Sequence, residues 1–289
     1  MRIAVPKMYK LFIGGKFART ESERYTDVTS PRSGDKICNI SRASRKDVRN
    51  AVVSARSGFN EWNSKSGYER AQILYRLAEM LEERKEQFAE SIFVSTKLSK
   101  SESMSEVSRS IDRIIFFAGL ADKWQQLSGT VNPVQSGYFN FSMAEPTGSV
   151  GIILPESASL LAPISRICNS LVTGNSCILI CSETSPLPVL SFSEVIATSD
   201  VPAGVINILT GRKKEIVPHL TGHFDINAID FCDVDAGLEK ESKILCANNV
   251  KRFHALAKQW NWKSDELNEN IHEPGKFSEI KTVWHTMGM

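Results

Sequence analysis

The spacing of apolar and polar positions changes character twice along the chain. The first part is helical. Over residues 69 to about 93, Ile73, Leu77, Leu81, Phe88 and Ile92 recur on one face, while Arg70, Glu79, Glu83 and Lys85 lie mostly opposite. That pattern predicts one long amphipathic helix. An earlier helix is expected to start near Ser44, where Ser44-Arg45-Lys46-Asp47 offers a capping hydroxyl and an early acid ahead of Val48, Val52 and Ala55. A third is predicted over roughly residues 104–127, with Val107, Ile111, Ile114 and Ile115 inward. Ahead of all three, residues 9–17 alternate and turn at Gly14-Gly15, as a short hairpin does.

From residue 137 the helical period gives way to strands. Gly137-Tyr138-Phe139-Asn140-Phe141-Ser142-Met143 has aromatic-rich alternation. Three short apolar runs follow, Ser149-Val150-Gly151-Ile152-Ile153-Leu154, Ser176-Cys177-Ile178-Leu179-Ile180-Cys181 and Gly204-Val205-Ile206-Asn207-Ile208-Leu209. Helices are expected between and after them, over residues 160–171, 189–197 and 213–220, leading to Ala228-Ile229-Asp230-Phe231. Buried strands alternating with helices at regular spacing predict a parallel sheet of βαβ units. The last stretch changes again. Residues 260–275 are polar and turn-rich, and Phe277-Ser278-Glu279-Ile280-Lys281-Thr282-Val283-Trp284 alternates as a strand that needs a sheet edge to pair with.

Composition narrows the function classes. Of 289 residues, 35 are basic and 33 acidic, for a net charge of +2. So even a balance argues against nucleic acid or an anionic membrane as a partner, since each favours a clustered basic face. No run approaches the roughly 18 apolar residues of a spanning helix. Met1-Arg2-Ile3-Ala4-Val5-Pro6-Lys7 lacks the apolar core of a signal peptide. The cysteines Cys38, Cys168, Cys177, Cys181, Cys232 and Cys246 form no CxxC pair and read as reduced thiols, so the expectation is a cytoplasmic chain. His219 and His223, with Asp225 nearby, have a spacing that can bind metal on a helix. Pro218 and Gly222 interrupt it, and a loop leading into the next strand is expected, with no metal. Trp260, Trp262 and Trp284 suggest an aromatic surface suited to a protein interface.

Several stretches, in order, resemble the aldehyde dehydrogenase superfamily. They are Leu11-Phe12-Ile13-Gly14-Gly15-Lys16-Phe17, Glu145-Pro146-Thr147-Gly148-Ser149-Val150-Gly151-Ile152-Ile153, Gly174-Asn175, Ser182-Glu183-Thr184-Ser185-Pro186 and Pro202-Ala203-Gly204-Val205-Ile206-Asn207-Ile208-Leu209-Thr210-Gly211. More narrowly, the chain is similar to the short non-catalytic units that accompany a full subunit and to the second unit of two-unit members. The resemblance implies a Rossmann-like α/β fold over residues 1–258, a parallel sheet with helices on both faces. It also implies a small β oligomerisation arm over 129–146, and a polar linker with a terminal oligomerisation strand over 259–289. On that resemblance the family's catalytic domain has no counterpart in these residues. In the family a nicotinamide dinucleotide crosses the carboxyl ends of such strands. A cysteine attacks the aldehyde, a glutamate activates water, and an asparagine helps hold the oxyanion.

Carried onto this chain, these roles are mostly lost. Where the family has Pro-Trp-Asn, this chain has Pro155-Glu156-Ser157, so Ser157 stands at the oxyanion asparagine and Glu156 would repel a developing anion. Ile180 replaces the ribose-binding lysine, although the following acid is kept as Glu183. Gly211 remains of the glycine-rich approach to the pyrophosphate, whose second glycine falls at Lys213. The Phe-Thr-Gly-Ser turn becomes Phe231-Cys232-Asp233-Val234, which places a carboxylate where phosphates would meet a helix N-terminus. Leu256 occupies the place of the general-base glutamate. The reading is therefore of no catalytic residue, of Glu183 and Gly211 as the remnant of a cofactor site, and of no cofactor established, NAD(P) being the one the family would use. Residues 137–143 and 277–284 resemble the family's arm strands. The leading expectation is thus a homologue, inactive alone, that assembles through those strands with a full-length aldehyde dehydrogenase subunit or with itself. Two alternatives stand beside it. One is an NAD(P)-dependent oxidoreductase whose catalytic domain comes from a partner, and the other is a dinucleotide-binding module without chemistry.

Overall fold

The computed structural model describes residues 7–135 and 137–287; Met1 to Pro6, which carry part of the leader reading, lie outside them. The chain opens with five short strands, β1 (Lys7–Tyr9), β2 (Leu11–Ile13), β3 (Lys16–Ala18), β4 (Tyr25–Thr29) and β5 (Lys36–Ser41). The β2–β3 hairpin turns at Gly14 and Gly15, both at positive φ, as the Gly-Gly pair predicts. Helix α1 (Arg45–Ser64) begins at Ser44 with a reciprocal capping box: the Ser44 hydroxyl accepts from the Asp47 amide, and Asp47 accepts from Ser44 N.

The predicted helix over 69–93 is two helices, α2 (Gly67–Glu83) and α3 (Lys85–Ser95), broken at Arg84. Neither glycine nor proline marks the break. It lets α3 turn onto the following helix α4 (Lys100–Ala121), against which α2 also packs. A second correction concerns Arg70. It stands four residues before Leu74 and seven before Leu77, so it falls on the inward stripe and is buried. The third predicted helix starts earlier and stops sooner, as α4 followed by α5 (Trp124–Ser128), and Ile115 points outward at 44% exposure.

The arm strands β6 (Thr130–Asn132) and β7 (Tyr138–Pro146) lead into the βαβ region. That region comprises β8 (Ser149–Ile153), α6 (Leu161–Val172), β9 (Ser176–Ile180), α7 (Leu187–Thr198), β10 (Ile206–Leu209), α8 (Lys213–Thr221), β11 (Ala228–Phe231), α9 (Ala236–Ala247) and β12 (Arg252–Ala255). Two short helices, α10 (Asp265–Asn268) and α11 (His272–Gly275), precede β13 (Ser278–Thr286). The main sheet has strand order β12-β11-β8-β9-β10-β2-β3. Its five βαβ strands are parallel, and the β2–β3 hairpin adds antiparallel to one edge. Small sheets β1-β5-β4 and β13-β7-β6 stand apart.

The parallel strands are buried throughout, and their side chains alternate between two cores. Ile178, Ile180, Leu209 and Ile229 face α1, α8 and α9, while Val150, Ile152, Cys177 and Leu179 face the layer of α6 and α7. Helix α1 can lie close to the sheet because Gly58 carries no side chain; a Cβ there would come within 2.4 Å of the Gly204 carbonyl carbon. The fold is the expected Rossmann-like doubly wound sheet with an appended arm.

The segment after β12 folds back on α4 and α6. Arg109, Arg113 and Arg166 of those helices pair with Asp265, Glu269 and Glu273, acids spaced four apart along the tail. Trp260 and Trp262 therefore pack inward, Trp262 being only 6% exposed, and of the three tryptophans read as surface only Trp284 is open. No helix among the described residues is long and apolar enough to cross a membrane.

Candidate functional site

Strand order reverses at β8. Strands β9 and β10 lie to one side of it, β11 and β12 to the other, so the loops leaving β8 and β11 diverge and open a crevice at the carboxyl ends. In open α/β sheets this is where ligands bind. Every charged residue that the sequence placed at a lost cofactor position converges here.

Lys213, on the first turn of α8, is 4% exposed and reaches into the crevice. Its Nζ donates to the Leu154 carbonyl at 2.6 Å and to the carboxylates of Glu156 and Asp233. These three acceptors match the three N–H bonds of an ammonium. Glu156 in turn fills a nest on the opposite wall. It accepts from Ser182 Oγ at 2.6 Å, Thr184 Oγ1 at 2.8 Å, Thr184 N at 3.0 Å and Glu183 N at 3.2 Å. Burial alone would raise its pKa, but the Lys213 charge and these donors hold it down at about 2.

The two helix N-termini beside the crevice are also taken. Glu183 accepts from Lys213 N at 2.7 Å at the start of α8, and Asp235 accepts from Gly237 N and Leu238 N at the start of α9. Each site at which a phosphate could meet a helix dipole thus already holds a carboxylate of the chain.

The remaining sequence-marked residues do not join this cluster. Ser157 is exposed in the loop after β8, with its hydroxyl in no hydrogen bond to any described residue. Leu256 follows β12 and packs with Leu161, Ala162, Cys232 and Trp262. Ile180 is fully buried and faces α1 and α8. Gly211 holds the approach of β10 to the loop before α1, where a Cβ would stand 3.2 Å from Ala43 N. All six cysteines are buried, and burial raises every thiol pKa, Cys38 and Cys246 to about 11 and Cys168 to about 12. None is poised as a nucleophile.

His219 lies within α8 rather than in a loop, and His223 just beyond it. Burial, with Arg45 near one and Lys251 and Arg49 near the other, lowers both pKa values. Among the described residues no group of three or more His, Cys, Asp or Glu could hold a metal.

A second charged network went unseen in the sequence. Arg166 of α6 is 1% exposed and pairs with Asp230 of β11 at 2.5 Å and Glu273 of α11 at 2.8 Å. His254 Nδ1 lies 3.1 Å from Asp230, and its Nε2 lies 2.8 Å from Lys276 Nζ, which also reaches Glu273. Burial opposes these charges, but the mutual pairing lowers the pKa of Asp230 and raises that of Arg166. The network ties the tail to the sheet.

Fold and crevice together define a Rossmann-like α/β unit with an appended three-stranded sheet. The sequence profile of the aldehyde dehydrogenase family matches residues 17–256, and the chain belongs to that family. Cytosolic 10-formyltetrahydrofolate dehydrogenase of Xenopus laevis is 32% identical over 260 residues, covering 87% of this chain and 28% of that protein. The Bacillus subtilis protein DhaS, whose name is that of an aldehyde dehydrogenase, is 31% identical over 246 residues, 84% of this chain and 49% of DhaS. The NAD+ complex of an aldehyde dehydrogenase from Bacillus cereus superposes with a TM-score of 0.82 at 25% identity, covering 86% of this chain and 50% of that one. The chain thus spans half or less of the length of these relatives.

Proposed function

We propose that this chain is a non-catalytic aldehyde dehydrogenase unit that holds no dinucleotide of its own and assembles with a full-length subunit of the family through its arm sheet. The observation that carries the reading is the pairing of a self-filled crevice with an unfilled arm. In β7 and its neighbours, Asn140, Ser142, Asn132 and Thr282 form a hydrogen-bonded polar face. The opposite face presents Val131, Phe139, Phe141, Met143 and Val283, with Val131 65% exposed, Phe139 39% and Met143 36%, and is edged by His285 and the Glu145–Lys281 ion pair. Five open apolar side chains rimmed by charge, next to a nine-residue edge strand, make a surface that natural chains cover with a partner.

The dinucleotide does not fit the crevice as built. A pyrophosphate brought to α8 would meet Glu183, Glu156 and Asp233, and the buried cation there, Lys213, is already shared between two of them. Ile180 offers a ribose no donor. Calorimetry with NAD+ and NADP+ on the full chain is expected to show no saturable heat at millimolar cofactor.

Assembly is tested by co-expression with a full-length family subunit from the same host. A stable complex is expected, lost when Phe139→Asp and Val283→Asp are introduced together and retained with Tyr75→Asp, an exposed position on α2. No complex, or a complex indifferent to the arm substitutions, would overturn the reading.

A further inference from the structure

Among the described residues four cationic side chains are buried, and three of them are paired. Arg113 meets Asp265 and Glu269, Arg166 meets Asp230 and Glu273, and Lys213 meets Glu156 and Asp233. Arg70 is the exception. It lies four residues past the Ser66 N-cap of α2, is 6% exposed, and pairs with no described carboxylate. Its Nη1 donates to the Lys65 carbonyl at 3.1 Å, its Nε is buried without an acceptor, and its Nη2 donates to no described residue. A guanidinium carries five N–H donors, so most of this one is unanswered.

Burial lowers the pKa of Arg70, and the neighbouring Glu69 offsets this only in part; that carboxylate is exposed and bonded to Ser66 N and Oγ. A buried charge left alone is costly, and its free donors call for an acceptor from outside the chain.

There is room for one. Arg70 lines a pocket of about 540 Å3 beside Pro146 and Thr173, which precede β8 and β9, at the opposite end of the sheet from the crevice. Phe59 and Met143 give the pocket apolar walls, and Lys65 adds an ammonium that pairs with no described residue. Glu145 lines it too, but its carboxylate goes to Lys281 at 2.9 Å. Asn63, exposed near the end of α1, adjoins the guanidinium: a Cβ built on Gly174 would stand 3.2 Å from Arg70 Nη1 and 3.4 Å from Asn63 Oδ1.

Charge and walls together decide which ligand. A cation is repelled by Arg70 and Lys65, and a neutral molecule leaves the buried charge uncompensated. Inorganic phosphate has no apolar body for Phe59 and Met143, and a dianion costs more to bring out of water beside Glu145. A carboxylate is planar, carries one charge and takes two parallel N–H bonds from the end of a guanidinium.

We propose that this pocket binds a small organic monocarboxylate, its two oxygens accepting from Arg70 Nη1 and Nη2 and its apolar body lying against Phe59 and Met143. The pocket borders the open arm face at Met143 but is formed by this chain alone, so carboxylate binding and assembly stand or fall separately.

The full chain, in a buffer free of carboxylates, is titrated with benzoate and with its neutral isostere benzamide, followed by calorimetry and saturation-transfer NMR. Benzoate is expected to bind with a dissociation constant of about 10 mM or below, and at least about tenfold tighter than benzamide, the margin of a charge-assisted pair. Arg70→Met should remove benzoate binding. In Asn63→Asp the chain supplies its own carboxylate beside the guanidinium, so benzoate affinity should fall at least about tenfold. Asn63 is exposed, so this second variant decides the matter should Arg70→Met not fold. Equal affinity for the two probes, benzoate binding unchanged in either folded variant, or no benzoate binding at about 50 mM overturns the proposal.

Discussion

Replacing Lys213 by methionine tests whether the crevice is filled by a working ion cluster or merely crowded. Methionine keeps the length of the stem and removes the charge and all three N–H donors. Glu156 retains four other hydrogen bonds and a side chain 37% exposed, so its loss is largely screened. Asp233 fares worse. Its side chain is 8% exposed and keeps a single hydrogen bond, from Asp235 N at 3.0 Å. Stripping the partner from a buried ion costs about 3–5 kcal/mol, and with only one of two carboxylates fully affected the expected loss is about 2–3 kcal/mol. Urea unfolding at pH 7, read by far-UV dichroism, measures it. Adding Asp233→Asn removes the stranded charge and should return about 1–2 kcal/mol, a coupling that a double-mutant cycle isolates. A Lys213→Met variant within about 0.5 kcal/mol of the parent, or no coupling to Asp233→Asn, would refute the cluster.

Other consequences follow from the same geometry. Glu156 titrates at about 2 in the folded chain against an ordinary 4.5, so its contribution to stability is complete above pH 4.5 and is lost as pH falls toward 2. Unfolding free energies measured over that interval should fall less steeply in Glu156→Gln, and parallel acid limbs would contradict the assignment. Arg166→Met strands Asp230 and Glu273 in the interior and is expected to cost about 3–5 kcal/mol and to expose the tail around residues 256–277 to proteolysis. An unchanged proteolytic pattern would show that the network does not hold the tail. The six raised thiols should resist a disulfide exchange reagent in the native chain at pH 8 and react together once urea unfolds it; one fast-reacting native thiol would contradict their burial.

Much of the scaffold can be read from the residues alone. The capping box at Ser44, the Gly14-Gly15 turn and the buried parallel strands announce themselves because local chemistry and period-two or fully apolar patterns agree with the fold. The pairing of residues 137–143 with the terminal strand was legible through resemblance, and the structure pairs them along nine residues of β13. The helix break at Arg84 was not, since every neighbour is a good helix former and the turn answers to α4 rather than to local sequence. Arg70 and the inward tryptophans were misjudged by residue type: charge argued for one surface position and aromatic exposure for another, while spacing and the tail's own packing decided otherwise.

The crevice shows the same limit more sharply. Glu156, Lys213 and Asp233 read as three separate departures from family motifs, each in a different stretch of the chain. Only the strand-order reversal brings them within one ion cluster, and their complementary signs were the signal that sequence reading left unused.

The most direct test of the account is native mass spectrometry of this protein, affinity-purified from its own host at its endogenous level. The account predicts a stoichiometric complex with a larger aldehyde dehydrogenase subunit and no dinucleotide bound to this chain. Recovery as a free monomer or a homodimer would contradict it.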